Sequence, residues 1–271
     1  MRYRFIQGIS MLSLFVLLIL SSSFAKESFD PDAIMKKNQA ARQIPSITAL
    51  GTIITDGGSR KRLEKTFTWW RQLQKDKTHF NTLTKFHTPA NVKGQSILFL
   101  EAASEKNEIL MWLPTFKKTR IIESSQQRSS FMGSDFSFSD ITALQNEDYT
   151  YKATGLETCP NENKLKCYKI QASLKNSAAV ARLGYSNLTL WMRPDNNMTD
   201  RVHYHDESGK LFKELNTTQI QSAGAGLYFS QYLEMKNLSN GQFTIISFSK
   251  VDTQTPVPDK RFFKQRLGQD D

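Results

Sequence analysis

Residues 227–251 read LYFSQYLEMKNLSNGQFTIISFSKV. Two extended runs, 227–235 and 242–251, stand on either side of Asn240-Gly241, the strongest short hairpin signal because both central positions of such a turn need positive φ. The spacing predicts two antiparallel strands. Working back toward the N-terminus, runs at 211–220, 201–204, 185–192, 167–174 and 149–154 repeat the pattern, with Asp206-Glu207-Ser208-Gly209 as another turn. The first half reads alike. Residues 46–55 are rich in Ile and Thr and end at Asp56-Gly57-Gly58; Leu63, Phe67 and Trp69 share one face of the next segment, as do Phe80, Thr82, Thr84 and Phe86 of the one after. Short runs at 96–100, 109–113 and 119–122 follow, the last two separated by Pro114. About 11 short strands with tight turns and no βαβ alternation predict an antiparallel sheet large enough to curl.

One helix is expected before the sheet. Asp30 can cap it, Pro31 suits its first position, and Ala33, Ile34, Ala40 and Ala41 carry it to about Arg42, where Pro45 forbids continuation. Residues 129–140 (SSFMGSDFSFSD) do not read as strand. They set Phe131, Met132, Phe136 and Phe138 among small polar residues, with Gly133 at the bend, and Ser137 with Asp140 resembles a capping box opening a short helix toward Leu144. Two accounts stand open: a buried loop packed on the sheet, or a movable apolar flap.

Composition bounds the function. The chain has 271 residues, 39% of them hydrophobic, and 2 Cys, which excludes collagen, a disordered chain, a multi-Cys scaffold and a polytopic membrane protein. Residues 1–25 carry Arg2 and Arg4, the apolar run MLSLFVLLIL at 11–20, and Ser23-Phe24-Ala25 with small residues where a signal peptidase reads. This is a secretory signal with cleavage near Ala25. The rival, an uncleaved anchor, has an apolar core short of the roughly 20 residues that span a bilayer. No Cys follows the cleavage site, so lipidation as in bacterial lipoproteins is not expected. With two Arg and no acid removed, 34 basic residues face 26 acidic ones, a charge of +8.

Cys159 and Cys167 are the only cysteines. An oxidising compartment favours joining them, stapling a local hairpin for perhaps 2–3 kcal/mol. A two-Cys metal site would need further ligands, and no His lies close in sequence. His203 and His205 share a strand face at a spacing that could chelate, but beside a turn they read as two exposed histidines. No metal and no cofactor is expected. The sequence contains no G-x-S-x-G, H-E-x-x-H, P-loop or G-x-G-x-x-G, and nothing in it argues for an enzyme. The basic clusters, Arg60-Lys61-Arg62, Lys117-Lys118 with Arg120, and Lys260-Arg261 with Lys264 and Arg266, fit anionic headgroups or an acidic protein; after export, nucleic acid is not a partner.

Three further stretches carry a resemblance. They are Ile109-Leu110-Met111-Trp112-Leu113-Pro114, then Lys117-Lys118-Thr119-Arg120-Ile121-Ile122, then Ser130-Phe131-Met132-Gly133-Ser134-Asp135-Phe136-Ser137. Together with Asp56-Gly57-Gly58, Phe86 with Thr88-Pro89-Ala90 and Lys93-Gly94, Leu190-Trp191, and Tyr204 with Asp206 and Gly209-Lys210, they closely resemble the outer-membrane lipoprotein-sorting proteins of the LolA-like superfamily. The match covers most of residues 30–250. Ile121 departs from it, standing where relatives usually carry a second Arg.

The resemblance implies that residues 26–271 form a single domain, an incomplete antiparallel β-barrel whose N-terminal helix and short helical flap cover a concave apolar face. It implies a soluble periplasmic carrier that shields acyl chains of lipoproteins or lipids, with an inner-membrane exporter of the resistance-nodulation-division type as donor and an outer-membrane acceptor. The alternative within the superfamily is a lipid-sensing or adaptor module that regulates a membrane partner. The lipid-facing candidates are Phe67, Trp69 and Trp112 from the strands and Phe131, Met132, Phe136 and Phe138 from the flap segment.

Overall fold

The computed structural model describes residues 29–102 and 107–269; the expected signal, 1–25, lies outside the described residues. The chain runs α1 (Pro31–Ala41), β1 (Ser46–Gly57), β2 (Leu63–Leu73), β3 (Phe80–Thr88), β4 (Ser96–Leu100), β5 (Glu108–Leu113), β6 (Lys118–Ile121), α2 (Phe138–Ile141), β7 (Tyr149–Cys159), β8 (Glu162–Leu174), α3 (Ser177–Leu183), β9 (Asn187–Met192), β10 (Thr199–His205), β11 (Leu211–Gly224), β12 (Leu227–Asn237) and β13 (Gln242–Asp252).

All thirteen strands among the described residues belong to one antiparallel sheet, in the order β6-β5-β4-β3-β2-β1-β13-β12-β11-β10-β9-β8-β7. Each strand pairs with its sequence neighbour except where β1 meets β13. That pairing joins two meanders into one surface, and the edges β6 and β7 stay apart. The barrel is therefore incomplete. Every run read as extended forms its own strand, the short pieces flanking Pro114 included, so the count exceeds the expected 11 or so. Across the seam one row of side chains lines up, Ile53 opposite Ile246 and Ile246 opposite Leu233.

The β12–β13 hairpin differs from the sequence expectation in its turn. Asn237 pairs with Gln242, which leaves a four-residue loop in which Gly241 alone has positive φ, +70°. The Asn237 and Asn240 carboxamide oxygens accept from the backbone N–H of Ser239 and Gln242 at 3.1 and 3.0 Å, so two Asx contacts set a longer loop than Asn-Gly by itself predicts.

Asp30 caps α1 as the sequence predicts, its Oδ1 accepting from the N–H of Asp32 and Ala33. α3 is absent from the sequence reading. Asn176 caps it through Ala179 N–H, and Gly184 closes it in the left-handed region; the cap–helix–Gly pattern was present in the letters but spans only seven residues. Among the described residues no helix is long and apolar enough to cross a membrane.

Both faces of the first meander are covered. Ile97, Leu98 and Phe99 of β4 are all buried, which a one-sided sheet would not allow. Ile97 and Phe99 face the concave core, whereas Leu98 joins Leu83 and Leu110 under Val257, Phe262 and Leu267 of the C-terminal tail. Cys159 and Cys167 are bonded across the β7–β8 hairpin with Cα atoms 4.9 Å apart, packed with Trp191. His203 is half-buried rather than exposed: its Nε2 lies 2.9 Å from Glu214 Oε2 and its ring meets Trp191 edge-on. No group of three or more potential metal-binding side chains gathers among the described residues.

Candidate functional site

The concave face holds a cavity of about 260 Å³, near the lower end of ordinary ligand sites, about 300–1,000 Å³. Its floor is the alternate side of β9 to β13: Leu188 and Leu190, Val202, Leu215, Leu233, Ile246 and Phe248. Period-2 alternation puts these residues on one face, and the curl of the sheet turns that face inward. Ile47, Phe67 and Trp69 continue the wall on β1 and β2, and Met35 and Asn38 of α1 reach over it.

The remaining cover is residues 129–140 with the segment that follows. Met132 and Gly133 have φ of +54° and +74°, and Ser134 N–H donates to Phe131 C=O at 3.0 Å, so the two left-handed residues turn the chain sharply. Ser130 bridges Ser137 across this turn. Ser137 and Asp140 form the expected capping box, and α2 stops at Ile141, short of Leu144. The turn drives Phe131 into the core, with ring centroids 6.3 Å from Phe86, 6.2 Å from Phe99 and 5.6 Å from Phe138.

Polar contacts fasten the segment to the sheet. The Asp135 carboxylate accepts from Arg60 and from Thr244 Oγ1 at 2.7 Å, while its N–H donates to the same Thr244 oxygen at 2.8 Å. Asp140 pairs with Lys213 at 2.5 Å. With Phe131 and Phe136 each 2% exposed, the segment in this structure is a latched cover.

Three residues of the charged types line the cavity among the described residues: Asp140, Arg42 and Arg71. Arg42 follows the end of α1, and Arg71 lies on β2 with its guanidinium 3.4 Å from the centre of the Phe80 ring. Burial lowers the pKa of both, Arg71 to about 10, against the attraction of Glu101. Glu101 is itself buried, and burial raises its carboxyl despite the nearby arginines.

Of the residues singled out from sequence, Phe67, Trp69, Phe131 and Phe136 meet at this cavity. Gly51 makes room for Phe67, since a Cβ there would lie 2.1 Å from Phe67 Cζ. Trp69 stacks on Phe229 at 5.7 Å. Phe138 and Met132 pack in the core behind the lining. Trp112 is a correction: it lies on the opposite face, beneath the tail, where a Cβ on Gly268 would come within 2.3 Å of its indole. Alternation along β5 turns Trp112 away from Ile109 and Met111, and the sequence pattern does not say which face of a doubly covered strand is concave. The lipid-facing candidates from sequence include no residue beyond Phe138, whereas the cavity floor lies on β9 to β13. The i, i+2 pairs Leu188/Leu190 and Ile246/Phe248 were the available signal.

This architecture, an unclosed antiparallel sheet wrapped around a covered apolar cavity, is the LolA-like fold that the resemblance implied. An outer-membrane-lipoprotein-sorting protein domain from Vibrio parahaemolyticus superposes with a TM-score of 0.80 at 19% identity, over 88% of this chain and 98% of that one. A DUF1329 family protein from Desulfovibrio piger gives 0.79 at 23% identity, over 88% and 100%. A LolA superfamily protein from Nitrosomonas europaea gives 0.67 at 16% identity, over 89% and 100%. No curated protein matches the sequence. A family model described only as "uncharacterized protein" matches residues 79–269, well over half of the chain, and the chain belongs to that family.

Proposed function

We propose that this protein is a carrier that holds acyl chains of lipoproteins or lipids in its half-barrel and delivers them across the periplasm toward the outer membrane. The apolar cavity enclosed between the sheet, α1 and the latched segment carries the reading. Transfer of an acyl chain of about 15 methylenes out of water is worth on the order of 10 kcal/mol at ~0.8 kcal/mol per CH₂. An apolar groove therefore suffices for capture, with no catalytic group. Release then needs the cover to open or a partner to compete for the cargo.

In this reading residues 1–25 are the export signal and residues 26–271 act as one domain. An exporter of the resistance-nodulation-division type in the inner membrane supplies cargo, and an outer-membrane acceptor receives it. The description of the Vibrio domain as a lipoprotein-sorting protein supports the same assignment. The test is to isolate the mature protein from the periplasm, extract it with organic solvent and record its native mass spectrum. Bound lipid in near-stoichiometric amount is expected. Lipid-free protein that also ignores a fluorescent fatty acid would overturn the proposal.

A further inference from the structure

The cavity lining is mostly apolar but includes two cations, Arg42 and Arg71, near enough that the charge of Arg42 acts on Arg71. Neither guanidinium has a carboxylate within 4 Å among the described residues, and Arg42 Nε is buried with no hydrogen-bond partner. The nearby acid is Glu101, 4% exposed. Its two oxygens are already engaged by backbone, Oε2 accepting from Phe80 N–H at 3.1 Å and Oε1 from Ala143 N–H at 2.8 Å. Two fixed cations thus share one carboxylate whose lone pairs are partly spent. The third charged lining residue, Asp140, is neutralised by Lys213.

Such an imbalance is costly in an apolar site. Charges drawn out of water are ordinarily paired, and a half-buried guanidinium without hydrogen-bond acceptors gives up part of its hydration for little in return. It is also what an anion needs: two forked donors, weakly hydrated and facing a mostly apolar cavity. We propose that Arg42 and Arg71 form an anion subsite that holds the negatively charged end of an amphiphile whose acyl chain lies along the cavity. This rests on the carrier reading and narrows it to anionic cargo. The shared chemistry is an oxyanion, either the carboxylate of a fatty acid or the phosphate of a phospholipid.

The experiment uses the mature protein and four probes of matched sixteen-carbon chain: palmitate, hexadecanol, lysophosphatidylglycerol and the uncharged monopalmitoylglycerol. Affinities come from displacement of a fluorescent acyl probe. Palmitate is expected to bind at least about tenfold more tightly than hexadecanol, or lysophosphatidylglycerol than monopalmitoylglycerol; which pair shows the preference identifies carboxylate or phosphate as the source. In Arg71→Met and in Arg42→Gln the preference should collapse to a ratio near one. The lipid-free Arg71→Met protein should melt no lower than the parent, because the substitution removes a half-buried charge that no carboxylate pairs. Should Arg71→Met fail to fold, Arg42→Gln, at the end of α1, carries the measurement. Equal affinity for charged and uncharged probes in the parent, or a preference that survives both substitutions, would overturn the subsite while leaving the carrier reading intact. Absence of binding by any probe would overturn both.

Discussion

Asp135 and Arg60 form a two-point contact, Nη1 to Oδ2 at 2.9 Å and Nη2 to Oδ1 at 3.0 Å, between the cover of the cavity and the β1–β2 turn. The carboxylate is 3% exposed and the guanidinium 18%, and Arg60 also contacts Gln242 on β13. The pair thus closes the cover over the seam where the two meanders join. Arg60→Ala strands a buried carboxylate with Thr244 as its remaining side-chain partner, at a cost of about 2–3 kcal/mol, below the full penalty for a deeply buried pair because Arg60 keeps some water. Hydrogen exchange should accelerate in residues 129–140 while the amides of β11 to β13 keep their protection. Uniform acceleration across the sheet would mean the pair stabilises the whole fold rather than the cover.

Phe131 bears on whether the cover is part of the core. Its ring meets Phe86, Phe99 and Phe138 and is 2% exposed. Truncation to Ala should cost about 3–5 kcal/mol in denaturant unfolding. A cost below about 1 kcal/mol, with weakened acyl-chain binding, would show a segment that opens at little expense.

The close approach of Gly51 and Phe67 offers a packing test. Phe67 is held between Phe86 and Phe248, at 5.6 and 6.0 Å, so its ring cannot retreat from a new methyl group. Gly51→Ala should destabilise by about 1–3 kcal/mol, the usual range for overpacking. Adding Phe67→Leu should recover part of that loss. Strict additivity of the two substitutions in a double-mutant cycle would contradict the contact.

Legibility followed the physics of each element. Strands and the capped α1 stood out because period-2 alternation, Asp30 and Pro31 are local signals, and the Ser137–Asp140 box located α2 for the same reason. The cavity floor was harder. Leu188, Val202 and Ile246 alternate correctly, but which side of the sheet is concave depends on how two meanders meet at β1 and β13, a pairing of residues nearly two hundred positions apart. Trp112 was misplaced on that account, since the tail that covers it has no apolar periodicity. Arg42 and Arg71 carried no sequence signal, because a guanidinium in an apolar cavity looks in the letters like any surface cation.

His203 gives the pH dependence. Burial holds its pKa below the ordinary imidazole value, against the pull of Glu214. The unfolded ring takes up a proton near pH 6.5, whereas the folded ring resists until lower pH. Stability from this group is therefore complete above the unfolded value and is lost as pH falls through the folded one. Urea midpoints at about pH 7.5 and about pH 5.5 should differ less in His203→Gln than in the parent. The same pH difference in both proteins would assign the effect to other groups.

The most direct test of the carrier is where an acyl chain sits. A fatty acid bearing a photoreactive diazirine near the middle of its chain, irradiated with the mature protein and mapped by peptide mass spectrometry, should label the concave positions Leu190, Val202, Leu233, Ile246 and Phe248. An excess of unlabelled fatty acid should suppress that labelling. Crosslinks confined to the outer face around Trp70, Trp112 and the tail residues Val257 and Phe262, or labelling that competitor does not reduce, would contradict the assignment of the half-barrel cavity as the lipid site.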